Sequence, residues 1–524
     1  MRNTDKNKKT PLPKHFILGL ILAGAFLASA VVLIVFCFLL GMIPTTYILI
    51  FAIVIVAVTE GILFANKWKV SGIIVNVISC LLILCFAAGS FYVNITRQTV
   101  QAIQSGDTTT IYIGVYVMDD DDAQELADTT GYTFGYDSLY DEYATSEAIT
   151  YIETALSQTL TLEEYDSMFT MLDELSDGDT DVIIISESYL SIAEDIDDYD
   201  WVEDDLRQIE RIAVTVEKDT ADEEGEEETL EADIDLGTFV VYISGIDEYG
   251  EVSVTSRSDV NILAIVNTET KTVALISTPR DYYVTFEATN GAYDKLTHAG
   301  LYGIDQSEDA LETLYGVSID YYIRMNFTGF EEIIDALGGI TVYSECSFSS
   351  SVSDYTYVQG YNTLTGEAAL YFARERKAFT SGDFQRGRNQ MAVIEAVIDK
   401  LASFTTLAKF ETIMDAIGES FETDMPTSII NALVQMQLTD GSSWSVETYQ
   451  TTGNSGNAIT YSASGQYLSV VFQDVDSING AIELINKTLY PELFEDEEES
   501  SDESDELSSD ETASDASSSG TDGS

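Results

Sequence analysis

The sequence predicts an α/β protein anchored by N-terminal transmembrane helices, and three observations carry that prediction. Long apolar runs fill residues 16–93. After them, short β-rich runs alternate with segments of helical periodicity. A stretch dominated by Glu and Asp, residues 217–235, divides this alternation into a small α/β accessory domain at 107–216 and a larger α/β domain at 236–490.

The membrane segment comes first. Residues 16–40 are continuously apolar, 47–65 are broken only by Glu60 and small or hydroxyl residues, and 70–92 form a third run. Each reaches the ~20 residues a span needs. Ala28-Ser29-Ala30 has the look of a signal-peptide cleavage site, but apolar sequence continues through it, so the run reads as a span. Arg2, Lys6, Lys8, Lys9 and Lys14 precede the first span, and Lys67 and Lys69 lie between the second and third, whereas 41–46 carry no charge. Positive loops stay inside. The expectation is a multi-pass protein of the cell membrane with a cytoplasmic basic tail at 1–15 and everything after Tyr92 on the outer face. Glu60, beside the basic connection, reads as an interfacial residue rather than a functional intramembrane acid.

In the accessory domain, 111–117 alternates and is β-rich, 144–156 has helical spacing, and 182–185 is a short buried-strand run. Asp119 to Asp122 lack the Gly and distal Glu of an EF-hand loop and read as a solvated strand end. In the larger domain, 239–244, 260–266 and 272–277 read as strands, apolar throughout as in a sheet covered on both faces. Ser307 precedes a helix closed by Gly316. Thr328 with Glu331 makes a capping box before Ile333, Ile334 and Leu337, closed by Gly338 and Gly339. A strand restarts at 340–343, and 387–401 is the next amphipathic helix. The tail at 491–524 cannot bury enough apolar surface to fold.

Composition then narrows the chemistry. A formal net charge of -66 excludes a general nucleic-acid binder. Three of the four cysteines, Cys37, Cys80 and Cys85, lie in the apolar runs; Cys346 stands alone outside, so the ectodomain has no disulfide framework or cysteine zinc site. With His298 its one histidine, triads and His-rich metal sites have little to work with. What remains is Asp and Arg. Four arginines, Arg374, Arg376, Arg386 and Arg388, fall within 374–388, a cationic island in an acidic protein. Guanidinium forks suit phosphate oxygens, and a pyrophosphate suits several of them; salt bridging to abundant surface acids is the alternative, and the pattern alone does not separate the two. Arg374 and Arg376 need a local bend at a helix end to aim both inward. Asp247 and Asp259 lie at the end and start of neighbouring predicted strands, where two carboxylates can hold Mg²⁺ together with phosphate oxygens.

Ser256-Arg257-Ser258-Asp259, Ser277-Thr278-Pro279-Arg280-Asp281, Lys295-Leu296-Thr297-His298-Ala299, Asp335-Ala336-Leu337-Gly338-Gly339-Ile340, Leu364-Thr365-Gly366-Glu367-Ala368-Ala369-Leu370, Ala373-Arg374-Glu375-Arg376 and Gly382-Asp383-Phe384-Gln385-Arg386-Gly387-Arg388-Asn389-Gln390 occur in that order. Together they resemble the LytR-CpsA-Psr proteins of Gram-positive cell envelopes, over about 247–401. Three spans and an accessory domain resemble the capsule-type members. Thr297 stands where the family has Asn, His298 and Ala299 end that motif unusually, and Val260-Asn261 follow Asp259 where Thr is common.

The resemblance implies a catalytic domain with a central mixed sheet flanked by helices, and a phosphotransferase that moves a glycopolymer, teichoic acid or capsule, from an undecaprenyl-pyrophosphate carrier onto peptidoglycan. It implies Asp247 and Asp259 as ligands of Mg²⁺, or Mn²⁺ in its place. Arg257, Arg280, Arg374, Arg376 and Arg386 would bind the pyrophosphate, with Gln390 nearby. Asp281 or Asp383 would accept the acceptor hydroxyl's proton or orient arginines. The apolar faces around Leu311, Leu314, Ile333, Ile334, Ile394 and Ile398 fit either a lipid tail or ordinary core. A polyprenyl-phosphate sensor or a pyrophosphate hydrolase would keep the same site.

Overall fold

A computed structural model describes residues 14–102, 106, 108–137, 141–193, 195–217, 236–248, 252–403, 413 and 420–494. The basic tail before residue 14, most of the acidic stretch at 217–235 and the acidic tail beyond 494 lie outside the described residues. Among the described residues, three helices are long and apolar enough to cross a membrane: α1 (Lys14–Leu40), α2 (Thr45–Ala65) and α3 (Lys69–Ala102). They pack as an up-down-up bundle through Phe26, Ala30, Ile55 and Ile62, with most other apolar side chains exposed, as lipid-facing helices require. The turn between α1 and α2 is not free. Met42 is buried among Ile334, Leu337 and Val434 of the distant C-terminal half. Asn431 Nδ2 donates to Leu40 O at 3.0 Å, and Gln435 donates to Gly41 O.

The accessory domain is built of β1 (Thr108–Met118), β2 (Thr133–Asp137), α4 (Glu142–Leu156), β3 (Thr161–Tyr165), α5 (Met168–Asp177), β4 (Val182–Ser186), α6 (Glu187–Ala193) and β5 (Leu206–Glu217). The sheet order is β3-β2-β4-β1-β5, with β2 parallel to β3 and β4, and β1 antiparallel to β4 and β5. The period-two alternation of β1 sends Ile111, Ile113, Val115 and Val117 onto α4. The opposite face of the sheet, through Ile183 and Ile185, packs on α5 and α6.

The larger domain contains β6 (Thr238–Ile246), β7 (Ser258–Asn267), β8 (Thr272–Ser277), α7 (Ile304–Tyr315), β9 (Tyr321–Met325), α8 (Phe327–Ala336), β10 (Ile340–Ser344), β11 (Gly360–Leu364), α9 (Gly366–Arg374), α10 (Asp383–Leu401), β12 (Phe421–Thr423), α11 (Thr427–Asp440), β13 (Ser445–Gln450), β14 (Gly453–Ile459), β15 (Tyr467–Gln473) and α12 (Val475–Leu489). Its six-stranded sheet runs β12-β9-β6-β7-β8-β13, mixed in direction: β9 is parallel to β6 and β13 to β8, while the other pairs are antiparallel. Both faces are covered, which is why the strands read as unbroken apolar runs. Tyr242, Leu263, Ile265 and Ile276 face α7 and α12; Val241, Ile262, Ala264 and Leu275 face α10 and α11.

Three helix starts differ from the sequence expectation. α7 begins at Ile304, and Ser307 is buried inside it. α8 is capped by Asn326, whose Oδ1 accepts from Gly329 N at 3.0 Å, rather than by Thr328. α10 begins at Asp383, four residues before Gly387, which places Asp383 and Arg386 in its first turn. Gly338 and Gly339 end α8 with φ of 77° and 82°, a left-handed pair that an L side chain would strain.

Candidate active site

Asp247 and Asp259 meet where β6 ends and β7 begins. The register steps from Gly245↔Val260 to Ile246↔Ser258, leaving Asp259 without a partner in a β-bulge. A bulge re-aims side chains, and here the consecutive residues Asp259 and Val260 both line one cavity. Gly245 beneath them has no room for a side chain, since a Cβ there would sit 2.7 Å from Val260.

The arginines arrive from α9 and α10. α9 stops at Arg374, and Glu375 takes an extended conformation, so Arg374 and Arg376 project to one side and Glu375 to the other. Glu375 is buried and locks the bend: its carboxylate accepts from Arg376 N at 3.0 Å, Ala378 N at 2.8 Å and Ser351 N at 2.5 Å. This is the bend the Arg-Glu-Arg spacing demanded. The Arg374 guanidinium lies 3.9 Å from the centre of the Phe327 ring and 3.5 Å from Asp247 Oδ1. Arg386, in the first turn of α10, pairs with Asp383 at 2.6 Å. Arg280 donates to Asp259 Oδ2 at 2.7 Å, and Thr297 Oγ1 donates to Asp259 Oδ1 at 3.1 Å. Thr297, the departure from the family motif, thus holds an aspartate of the site.

The resulting cavity, about 320 Å³, is lined by the charged residues Asp247, Asp259, Arg280, Arg374, Arg376, Lys377 and Arg386, with Gln390 also in its wall. The remainder is largely apolar: Ile243, Val260, Met325, Phe327, Leu370 and Ile394. Of the apolar residues proposed from sequence, only Ile394 reaches it. Leu311 and Leu314 belong to the core under α7, Ile333 and Ile334 to the cluster that receives Met42, and Ile398 to the core under α10. Arg257 is outside the cavity lining and pairs with Asp195 of the accessory domain at 3.3 Å. Asp281 and Asp383 do not line it either. Asp281 faces Lys295 at 3.3 Å and Arg280 at 3.8 Å, and Asp383 holds Arg386. Arg388 points to Glu345 at 3.0 Å. His298 is wholly buried, 2.7 Å from Asp294 Oδ1, as a structural pair. Sequence reasoning missed Lys377, which also lines the cavity, and Asp195, one acid among many in its segment.

Electrostatics separates the two aspartates. Burial pushes both carboxyls up. At Asp259 the guanidinium groups of Arg280, Arg386 and Arg257, with the Thr297 hydrogen bond, outweigh burial and hold the carboxyl below its ordinary value. At Asp247 the neighbouring Asp259 carboxylate adds to burial and the carboxyl is raised, despite Arg374. Arg386 is lowered, chiefly by burial, with Arg280 and Arg376 adding like-charge repulsion against Asp383 and Asp259. A dianion entering here would relieve crowded cations. A divalent cation would relieve crowded carboxylates: two Asp side chains on one cavity wall offer the hard oxygen donors that Mg²⁺ or Mn²⁺ takes. The residues fit such an ion.

The sequence profile of the LytR-CpsA-Psr family matches residues 208–479, just over half of the 524-residue chain. The polyisoprenyl-teichoic acid–peptidoglycan teichoic acid transferase TagU of Halalkalibacterium halodurans is 37% identical over 189 residues, 36% of this chain and 61% of that protein. The transferase TagT of Bacillus subtilis is 35% identical over 198 residues, 36% of this chain and 60% of that protein. The chain therefore spans about three fifths of the length of these curated relatives. The crystal structure of B. subtilis TagV aligns with 49% of this chain and 98% of its own, at 27% identity and a TM-score of 0.41. The profile match, the ordered motifs and the cavity they line agree: this chain belongs to the LytR-CpsA-Psr family.

Proposed function

We propose that the protein is a phosphotransferase that moves a glycopolymer from an undecaprenyl-pyrophosphate carrier to peptidoglycan on the outer face of the cell membrane. The observation that carries this reading is the lining of the cavity, which joins a cluster of arginines and aspartates to a largely apolar wall. A lipid pyrophosphate has that same division. The names of the relatives supply the polymer class, teichoic acid, and the acceptor, peptidoglycan.

In this reading Arg280, Arg374, Arg376 and Arg386 bind the pyrophosphate oxygens and Gln390 flanks them. Asp247 and Asp259 hold Mg²⁺ or Mn²⁺, which supplies neutralisation of charge developing on the phosphates. The acceptor hydroxyl oxygen attacks the glycan-bearing phosphorus, the bridging P–O bond breaks, undecaprenyl phosphate leaves and a phosphodiester joins glycan to acceptor. The hydroxyl proton is released. Phosphoryl transfer of this kind asks the protein for positioning and charge stabilisation more than for covalent chemistry. Asp281 and Asp383, spent on Lys295, Arg280 and Arg386, are positioning residues here, not the base.

Orientation is part of the proposal. Helices α1 to α3 alternate in direction, so the α1–α2 turn and the end of α3 share one side, and the larger domain grips that turn. Lys67 and Lys69 lie at the opposite end, where positive charge belongs inside. The test is full-length protein in proteoliposomes with a lipid-linked teichoic-acid donor, peptidoglycan and Mg²⁺. Formation of a phosphodiester-linked product supports the reading. Release of free glycan phosphate without linkage would replace it with a hydrolase, and no turnover would sink it.

A further inference from the structure

The accessory domain meets the candidate site through the run 252–258 that leads into Asp259. Thr110 N donates to Ser253 O at 2.9 Å, and Thr255 N donates back to Thr110 O at 3.0 Å, so the start of β1 pairs with this run. Ser188 Oγ on α6 donates to Thr255 O at 2.5 Å. Arg257 Nη1 reaches both Ser191 O and Asp195 Oδ2 at 3.3 Å. Below these contacts Leu301, Ala463 and Leu468 of the larger domain are buried in one cluster with Met168, Leu172 and Ile183 of the accessory domain. The two domains share a core, and the shared face carries the approach to the aspartate bulge.

Asp195, just after α6, is the charged centre of this face. Its Oδ2 accepts from Lys295 Nζ at 3.2 Å as well as from Arg257. Lys295, almost fully buried, turns its second contact to Asp281 at 3.3 Å, and the other Asp281 oxygen lies 3.8 Å from Arg280 Nε. The line Asp195–Lys295–Asp281–Arg280 ends on the guanidinium that grips Asp259. Lys295 and Arg257, with Arg280 behind them, keep Asp195 ionised against the cost of its burial.

We propose that Asp195 is a positioning residue through which the accessory domain decides which cations face the phosphate cavity: it draws Arg257 and Lys295 aside and braces Arg280 through Lys295 and Asp281. Arg257 stands two residues before Asp259, close enough to act on both cavity aspartates electrostatically, and Asp195 is its carboxylate partner among the described residues. Without that carboxylate, only the Ser191 carbonyl holds its guanidinium, which can then turn to the phosphate ligands. The proposal rests on the pyrophosphate reading of the cavity.

The experiment is a calorimetric titration of inorganic pyrophosphate into detergent-solubilised full-length protein. Asp195→Asn is expected to bind about fivefold more tightly than wild type, as one released guanidinium joins the phosphate. Arg257→Ala alone is expected to change affinity by less than about twofold, and the double variant to return to within about twofold of wild type, because removing Arg257 removes what Asp195 restrains. Equal affinity of Asp195→Asn and wild type, or a gain that persists in the double variant, overturns the proposal. Should Asp195→Asn fail to fold, Arg257→Ala decides by itself: a loss of about tenfold would put Arg257 among the phosphate ligands already and overturn the idea. Arg374→Ala separates the two levels. If it leaves affinity untouched, the cavity is not a phosphate site and both readings fall; if it weakens binding while the Asp195 arm fails, only the restraint of Arg257 by Asp195 is wrong.

Discussion

Thr297 and Arg280 take opposite oxygens of one carboxylate: Thr297 Oγ1 donates to Asp259 Oδ1 at 3.1 Å while Arg280 holds Oδ2 at 2.7 Å. A hydrogen bond to a charged acceptor contributes about 1.5–3 kcal/mol. Thr297→Val keeps the shape and removes the donor, so Asp259 is expected to be less well oriented and the Mg²⁺ concentration for half-maximal transfer to rise about tenfold. Thr297→Asn restores a donor and should recover most of the loss. A metal titration of the transfer reaction checks both.

Arg374 is partly exposed, stacked on Phe327 and only loosely paired with Asp247. Its replacement by Ala therefore leaves the fold alone, with the melting temperature within a few degrees of wild type, while transfer falls at least about a hundredfold through loss of a charge-assisted phosphate contact. Arg386 differs in being buried against Asp383. Arg386→Ala should lower both activity and thermal stability, because the half-buried Asp383 carboxylate is left without its cation.

The raised carboxyl of Asp247 sets a pH dependence. Its proton is taken up at a higher pH than the ordinary Asp value of about 3.9, and a protonated Asp247 no longer serves a cation. Mn²⁺ affinity, followed by electron paramagnetic resonance, is expected to begin its fall with acidification above that ordinary value. Asp259, held low, contributes no such early loss. Affinity that stays flat down to about pH 4 contradicts the assignment of Asp247 as a ligand.

Asp294 provides a control for stability. Its two oxygens are taken by His298 Nδ1 at 2.7 Å and by Ser462 N at 2.8 Å. Despite burial, His298 and Ser462 hold its carboxyl below the ordinary value. A depressed carboxyl adds stability above its unfolded pKa and loses it as pH falls through the folded one. Asp294→Ala is expected to cost about 3 kcal/mol in a denaturation experiment, with pyrophosphate affinity preserved in whatever fraction remains folded.

Met42 links the membrane helices to the larger domain. Met42→Asp buries an unpaired charge at that contact. It should slow transfer from a bilayer-resident lipid donor about tenfold or more while leaving inorganic pyrophosphate binding intact. Comparing the two assays on one preparation tests whether docking of the turn serves the donor.

Much of the lining of the candidate site was legible because it uses residues rare in this chain. In a chain this acidic the arginines stood out, and Arg374-Glu375-Arg376 announced a bend that Glu375 supplies. What stayed hidden depends on long-range packing. The bulge at Asp259 is one extra residue in a ladder, invisible to a period-two reading. Thr328 and Asn326 are both competent caps two residues apart, and only the seating of α8 on its neighbours chose Asn326. The apolar stripes around Leu311 and Ile334 have the composition of a lipid channel but are core, since helical spacing says which face is covered and not by what. Asp195 could not be distinguished from its acidic neighbours until the fold placed Lys295 and Arg257 beside it.

The grip of Asn431 and Gln435 on the α1–α2 turn gives the larger domain a second mooring besides the chain leaving α3. A body tied at one point swivels; a body tied at two keeps its height and heading over the sheet of lipid it rides on. If the donor is the lipid-linked carrier proposed above, it would meet a docking port at fixed altitude, and the search for it would shrink from three dimensions to two.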